Sequence, residues 1–382
     1  MSQILQRKSC RLCNWGLIPI GSIGNHFIND FPSEWPHGGP SCPLNLVECR
    51  NRDCGLVQLE HTVDAETLYK GNYWYKSGIN QVIVDDLKQI ASAGTEMSGG
   101  KGLWIDIGAN DGTLLKFVPD SYHKVGVEPA KNLQEELAKN CNEVFADTWE
   151  RYKSPQKVNI ITAVGMFYDS PNPNKFIRKV RESLTTDGVF IAQLMTLEPM
   201  LEKNDVGNLC HEHIEFYSYK SLKYLFERNG LEIFSVEKND INGGSYRIFA
   251  QHFKDGSVDY EENYPDVKGF FGRIGNNKQK TVEFFSNLPS GTKVYGYGAS
   301  TKGNTILQYY GLGPNHIKGV VDVNPEKVGK HMLTGIPIVN EAPDADYLFI
   351  MPWGFTDFFI QKERARGYKG KFIVSIPEFR VL

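Results

Sequence analysis

Four groups of residues in this chain of 382 have types and spacings suited to chemistry. The first is Asp106-Ile107-Gly108-Ala109-Asn110-Asp111-Gly112, which follows the apolar run Leu103-Trp104-Ile105. Gly108 permits a tight turn and a close backbone approach to a bulky ligand. The next strand, Lys124-Val125-Gly126-Val127-Glu128, ends on an acid; in nucleotide-binding α/β folds an acid there accepts ribose hydroxyls. The turn lacks the spacing of a dinucleotide fingerprint, and no Gly-Lys-Ser/Thr loop is present to cradle phosphates. S-adenosylmethionine has ribose hydroxyls and an amino-acid tail but no phosphate, so it is the expected cofactor. Asp106, Gly108, Asn110, Asp111 and Glu128 are its candidate contacts, joined by Gly165 and Met166 at the end of a further strand. Asp147, beside Thr148, is a candidate partner for the adenine amino group, with a solvated loop acid as the alternative.

The second group repeats this design: Tyr297-Gly298-Ala299-Ser300-Thr301-Lys302-Gly303-Asn304 lies between a strand and a helix, and Asp322 closes the strand after it. Backbone amides with Ser300, Thr301 and Lys302 at a helix N-terminus suit a diphosphate. The glycine spacing favours a nucleotide-sugar over NAD. Asn242 and Arg247 complete the expected substrate contacts.

The third group is metal-like. Seven cysteines are present, and five fall within the first 54 residues. Cys10-x-x-Cys13 and the wider pair Cys49/Cys54 can form two knuckles around one tetrahedral zinc ion, leaving Cys42 as the spare. In a reducing compartment such clustering points to metal rather than disulfides. Four thiolates leave no open coordination position, so this zinc would be structural. His26, His37 and His61 are nearby alternatives, although lone loop histidines are usually solvated. The fourth group is Cys210-His211-Glu212-His213-Ile214-Glu215-Phe216-Tyr217, whose titratable residues suit acid–base work, a zinc site or a solvated turn.

Apolar runs and helical patterns alternate between these groups, which predicts an α/β fold with a parallel sheet. A strand at 56–59 leads to an aromatic turn, Gly71-Asn72-Tyr73-Trp74-Tyr75-Lys76-Ser77-Gly78, then a helix over 81–92 and a linker over 92–102. Helices are expected at 131–140, 174–183 and 221–229, with strands at 143–146, 159–166, 188–194, 231–237 and 241–250. The polar segment 255–280 reads as a link to a second β/α unit, with strands at 317–321, 346–351 and 371–376. The expected domains are 1–80, a zinc module with an aromatic lid; 81–255, a cofactor-binding sheet; and 256–382, a Rossmann-like domain.

Hydrophobic residues make up 41% of the chain, 12% are aromatic, and the formal net charge is −3. This is a globular composition with ample core, and it argues against a general nucleic-acid or membrane-surface binder. The N-terminus has no apolar signal core, and no run is long enough to span a bilayer. A cytoplasmic monomer or weak homodimer is expected.

Taken together, the motifs carry a resemblance. Cys10/Cys13 with Cys49/Cys54-Gly55-Leu56-Val57-Gln58-Leu59, the Asp106–Gly112 turn, Glu212-His213, and Tyr297–Asn304 span nearly the whole chain in fixed order. The chain resembles the S-adenosylmethionine-dependent C-methyltransferases of unusual deoxy-sugar biosynthesis. The resemblance implies an N-terminal four-cysteine zinc module, a central class I methyltransferase sheet and a C-terminal Rossmann-like domain. It also implies an acceptor, a dTDP- or GDP-linked 4-keto-6-deoxyhexose methylated at C3. The C-terminal domain would hold the nucleotide and present the sugar to the central cleft.

The chemistry is consistent with this. A carbon beside a ketone becomes nucleophilic when a base removes its proton and donors stabilise the enolate oxygen. His213 is the candidate base, Glu212 its orienting partner, and His211, Tyr217 and Tyr75 further hydrogen-bonding groups. Two departures from the family pattern stand out: Cys210 where a tyrosine is usual, and Tyr168 or Asp169 after the Ala163–Met166 strand, where the family often has a histidine. O- or N-methylation of a related nucleotide-sugar therefore stays open. An NAD-dependent sugar oxidoreductase lacks its glycine signature and a Tyr-x-x-x-Lys dyad. An inactive zinc-containing binding module would not need Gly108, Asp111, Glu128 and His213 together.

Overall fold

The computed structural model describes residues 4–69 and 73–382; part of the aromatic turn, residues 70–72, lies outside them. The N-terminal region holds β1 (Ile4–Gln6), β2 (Leu17–Phe27), β3 (Ser41–Cys49), β4 (Val57–Leu59) and β5 (His61–Val63). β1 pairs with β5, and β2, β3 and β4 form an antiparallel sheet. The region is thus more than two knuckles on a loop, because the insert between the cysteine pairs is itself a long hairpin.

A helix over Gln81–Met97 leads into the central sheet, so the expected linker is mostly helix. The sheet strands are β6 (Gly102–Ile107), β7 (Tyr122–Val127), β8 (Glu143–Phe145), β9 (Val158–Val164) and β10 (Leu184–Met195). A short β11 (Glu215–Phe216) leaves this sheet and pairs with β4, adding an edge strand to the N-terminal sheet. β12 (Leu231–Asn239) and β13 (Ser245–His252) complete the central one. Its order is β12-β13-β10-β9-β6-β7-β8, and only β13 runs against its neighbours. The inner strands read as continuous apolar runs because helices cover both faces. Sequence order reverses between β6 and β9, so the loops after them open one crevice, where α/β sheets place their ligands.

The C-terminal sheet, built from β14 (Val294–Tyr297), β15 (Val320–Val321), β16 (Ile338–Val339), β17 (Tyr347–Ile350), β18 (Lys371–Val374) and β19 (Arg380–Val381), repeats the arrangement. Its order is β16-β15-β14-β17-β18-β19, parallel except for β19. β14 lies at its reversal point. Ahead of it, the segment expected to be a polar link contains a helix, Val267–Ser286. Asp266 caps that helix, and Phe270, Ile274, Asn277, Thr281 and Phe285 form a buried stripe at helical spacing. Charged residues on the opposite face hid this periodicity. The stripe joins one apolar cluster with Leu44 and Leu46 of β3, Leu201, and Ile306 and Leu307 of the C-terminal domain. The three expected domains therefore share a core.

Among the described residues no helix is long and apolar enough to cross a membrane.

The other side of the central sheet is organised by Trp104, which is fully buried. Its ring meets Tyr122 edge-on at 5.4 Å, and its Nε1 donates to Thr162 Oγ1 at 3.1 Å. Gly94 lets the Gln81–Met97 helix lie on this ring: a Cβ there would fall 2.3 Å from Trp104 Cη2. Helix propensity alone would make Gly94→Ala stabilising by about 1 kcal/mol. The contact reverses that sign, and urea unfolding should show a net loss of about 1–3 kcal/mol, as for overpacked cores.

Candidate active site

A single cavity of about 600 Å³ runs from the end of β6 to the end of β14. At one end, Gly108 sits at φ 68°, and a Cβ there would meet Met166 Cγ at 2.7 Å. Asn110 donates its backbone amide to Glu128 Oε2 at 2.9 Å, and Ala130 donates to Oε1 at 2.8 Å. Each Glu128 oxygen keeps a lone pair, so the pair of them can accept two hydroxyls. Burial raises the Glu128 pKa. Asp106, 3% exposed, accepts from Thr162 Oγ1 at 2.7 Å and is pushed up to about 7, mainly by burial. Gly165 has φ 69° and, with Met166 and Thr148, lines this end.

The turn also anchors the aromatic segment from the N-terminal region. Ser77 N donates to Asn110 Oδ1 (3.0 Å), Asn110 Nδ2 to Tyr75 O (3.1 Å) and Gly78 N to Asp111 Oδ2 (2.8 Å). Tyr73, Trp74 and Tyr75 thereby form one wall. Lys76 pairs with Glu326 at 2.6 Å, and Trp74 packs edge-on against Phe31 at 5.5 Å. The segment bridges both ends of the cleft.

Between the ends lie Tyr168, Asp169, Glu212 and His213. His213 Nδ1 is 2.8 Å from Asn208 Oδ1 and 3.2 Å from Asn208 O. The carbonyl can only accept, so Nδ1 carries the proton and Nε2 keeps a lone pair. The ring stands edge-on to Tyr168 at 4.6 Å. Burial, then the charge of Lys302, lowers its pKa to about 3. Asp169 Oδ1 and Glu212 Oε2 are buried without a hydrogen-bond partner. Burial raises both carboxyls, and Asp169 is lifted further by the charges of Glu212 and Glu215. A carboxyl held in its protonated form has an O–H to donate as well as acceptor lone pairs.

At the far end Gly298 has φ 86°, and Ala299 N donates to Asp322 Oδ2 at 2.7 Å. Ser300 caps the Thr301–Tyr310 helix through Gly303 N. Lys302 Nζ is held by Asp205 (2.7 Å) and Asn242 O (2.8 Å). Tyr297 bonds Glu363 at 2.7 Å and lines the cavity with Asn242. Two features here gave no sequence signal. Lys327 Nζ donates to Ala299 O at 2.7 Å and faces the Phe31 ring, although a lysine in a polar loop is ordinarily solvated. Trp353, Phe355 and Phe358 form an aromatic wall just after β17.

Six expected site residues lie outside the cavity lining, their side chains committed elsewhere. Tyr217 stacks on Phe167 at 5.3 Å and bonds Glu215 at 2.5 Å. His211 Nε2 contacts Cys42 O at 3.0 Å, tying the motif to β3. Arg247 is paired with Asp86 at 2.7 Å and bonds Gln193 at 2.9 Å, so its guanidinium supports the wall from behind. Asn304 bonds Asn29 and Asp30 and accepts from Leu333 N, holding the N-terminal hairpin on the C-terminal domain. Asp111 is used by Gly78 and Thr113, and Asp147 pairs with Arg151 at 2.8 Å. These six do not line the cavity.

Apart from the cleft, the sulfurs of Cys10, Cys13, Cys49 and Cys54 all lie within 4.8 Å of one another. Leu12 N and Asn51 N each approach a sulfur at 3.4 Å. Cys42 lies elsewhere, buried on β3, and none of His26, His37 and His61 joins the cluster.

The strand order with one reversed strand, and the glycine turn at the reversal point, define a class I methyltransferase. Residues 81–236 match the family described as Methyltransferase domain, and residues 240–377 match C-methyltransferase C-terminal domain. The C-methyltransferase NovU of Streptomyces niveus is 28% identical over 98% of this chain and 96% of its own length. The chain is an S-adenosylmethionine-dependent methyltransferase, similar along nearly its whole length to a C-methyltransferase. Similar solved structures include an S-adenosylmethionine-dependent methyltransferase from Clostridium acetobutylicum, 11% identical, with TM-score 0.37 over 45% of this chain and 92% of that one. Another, from Leishmania major, is 16% identical, with TM-score 0.38 over 46% and 75%.

Asp106 supplies a pH test. Its folded-state pKa of about 7 lies above the unfolded value of about 4, so a contribution fully present below about pH 4 is lost progressively as pH rises to about 7. Asp106→Asn, which cannot ionise, should therefore gain stability relative to the wild type progressively between about pH 4 and 7, with a constant difference above that. Urea unfolding of both proteins at each pH measures the difference.

Proposed function

We propose that this enzyme methylates C3 of a nucleotide-linked 4-keto-6-deoxyhexose. The supporting observation is the continuous cavity, which joins the Glu128 turn to the Gly298 turn and passes His213 midway. A molecule with a nucleotide at one end and a reacting carbon at the other suits that length.

In this reading Glu128 takes the ribose hydroxyls of S-adenosylmethionine, while Gly108, Asn110 and the Gly165–Met166 turn enclose the rest. The bound donor supplies a methyl group already activated on sulfur. At the opposite end, the amides after Gly298 and the ammonium of Lys327 receive the diphosphate, and Trp353 faces the nucleotide. His213 removes the proton beside the ketone through Nε2. Its low pKa keeps it neutral, with the lone pair available, throughout the working pH range. A base that weak needs strong stabilisation of the enolate. Asp169 and Glu212, whose carboxyls burial shifts toward the protonated form, stand beside the ketone oxygen, to which the developing negative charge moves from carbon, and each O–H present there is a donor to it. Tyr75 closes the cleft above them. Asp169 standing where the family has histidine also supports a second reading, methylation of an oxygen or nitrogen on a related nucleotide-sugar.

Zinc fits the cysteine cluster. A Zn–S bond of about 2.3 Å puts tetrahedral sulfurs about 3.8 Å apart, against 3.7 Å for Cys10–Cys54 and 3.3 Å for Cys13–Cys49. Four thiolates around the ion would make it structural, holding Leu12 and Gly55 at the base of the N-terminal sheet.

Three outcomes are expected. Mass spectrometry of sugar products from dTDP- and GDP-linked 4-keto-6-deoxyhexoses and their 4-hydroxy counterparts should show a one-methyl gain on keto substrates alone. Gain on the hydroxy compounds would favour the second reading instead. His213→Asn should lower kcat by about 10²–10⁴-fold with S-adenosylmethionine affinity unchanged, as read by calorimetry; retained turnover would remove His213 from the chemistry. Elemental analysis of purified protein should find one zinc per chain, and a metal-free, fully folded preparation would refute that assignment.

A further inference from the structure

A second cavity, of about 730 Å³, lies between the N-terminal region and the central domain. Its lining includes five arginines, Arg7, Arg11, Arg178, Arg181 and Arg228, and a single acid, Glu227. Glu227 Oε1 is occupied by Ser257 N at 2.9 Å. Among the described residues, none of the five guanidinium groups has a carboxylate within ion-pair distance. Arg178 and Arg181 are exposed along the Pro173–Ser183 helix, three residues apart and so on one face. Arg11 is 4% exposed; its Nη1 donates to Gln58 Oε1 and Leu59 O and its Nη2 to Thr62 Oγ1, while its Nε is buried without a partner.

The floor of this cavity is built rather than incidental. Asn174 Nδ2 donates to Arg11 O and Leu12 O at 3.1 and 2.9 Å, Asn229 Nδ2 donates to Asn174 Oδ1 at 3.0 Å, and Arg228 Nη1 donates to Leu12 O. Three elements are thereby locked around one concave, strongly cationic space. In a chain of net charge −3, five guanidinium groups without a carboxylate in ion-pair contact make this cavity locally cationic and attractive to an anion.

We propose that this cavity is a second ligand site that binds a small phosphate-chain anion, such as a diphosphate or the diphosphate of a nucleotide. Guanidinium forks pair with phosphate oxygens bidentately, which a row of arginines on one helix face can repeat along a phosphate chain. The volume suits a small molecule rather than a macromolecular surface. Pro171 lines both this cavity and the catalytic cleft, immediately after Tyr168, Asp169 and Ser170 of the cleft wall. An anion held here therefore bears on the segment that carries Asp169.

The probe is inorganic diphosphate added to the full-length zinc-loaded protein, with hydrogen exchange read on peptides covering 171–182 and 225–232. A saturable protection of both peptides is expected. Arg178→Ala/Arg181→Ala, both exposed and outside the catalytic machinery, should weaken it at least ~10-fold while leaving methyl transfer intact. Protection at 298–305, where the first cavity also offers a diphosphate seat, should persist in that variant and serves as the internal control. Protection confined to 298–305, no protection anywhere, or protection of 171–182 that survives the double substitution would each overturn the proposal.

Discussion

The two ends of the cavity share one repeated interaction, a carboxylate capturing the backbone amide of a glycine turn on the neighbouring strand. Glu128 holds Asn110 N in the central sheet, and Asp322 holds Ala299 N in the C-terminal sheet. Each turn needs left-handed backbone at its glycine, and each leaves the chain at the crevice where strand order reverses. The acid does two jobs at once. It fixes the turn, and its remaining lone pairs face the cavity.

The rest of the molecule brings these two turns to opposite ends of one space. The central turn grips the 75–78 segment through Asn110 and Asp111, and that segment reaches Glu326 beyond the other turn through Lys76. Asn304, in the helix after the second turn, binds the hairpin residues Asn29 and Asp30 in return. Residues outside the cavity lining, among them Asp111, Glu326 and Asn304, thus help to set its length. Arg247 illustrates the energetics: with Asp86 and Gln193 it forms a buried ionic network, where losing one partner typically costs about 3–5 kcal/mol. Such a network resists deformation of the wall from behind.

Parts of this were legible in the residues alone. The strand-glycine-acid pattern located both turns that end the cavity, since a buried strand, a left-handed glycine and an acid at the next strand end have few other arrangements. The cysteine pairs likewise predicted a four-sulfur cluster, because spacing of that kind allows both pairs to converge. Periodicity failed where charge masked it, in the helix over Val267–Ser286, and where elements are only two or three residues long, as in β16. Side-chain roles were hardest to read within compact polar motifs. His211 and His213 are two residues apart, yet one turns to Cys42 O and the other to the cavity.

Local covalent pattern alone determined the backbone devices of this protein: the glycine turns, the acids that clasp them and the cysteine pairs. These depend on conformational preferences and short-range hydrogen bonds, which are written in contiguous residues. Only the tertiary structure decided which polar groups are left over once those devices are satisfied. Asn304 and Arg247 are spent on packing partners far away in sequence, while Lys327 and the Trp353 wall are brought in from loops that carry no motif. Whether a side chain is available for chemistry depends on whether distant residues have already occupied its donors and acceptors, and that competition is settled only by the folded chain.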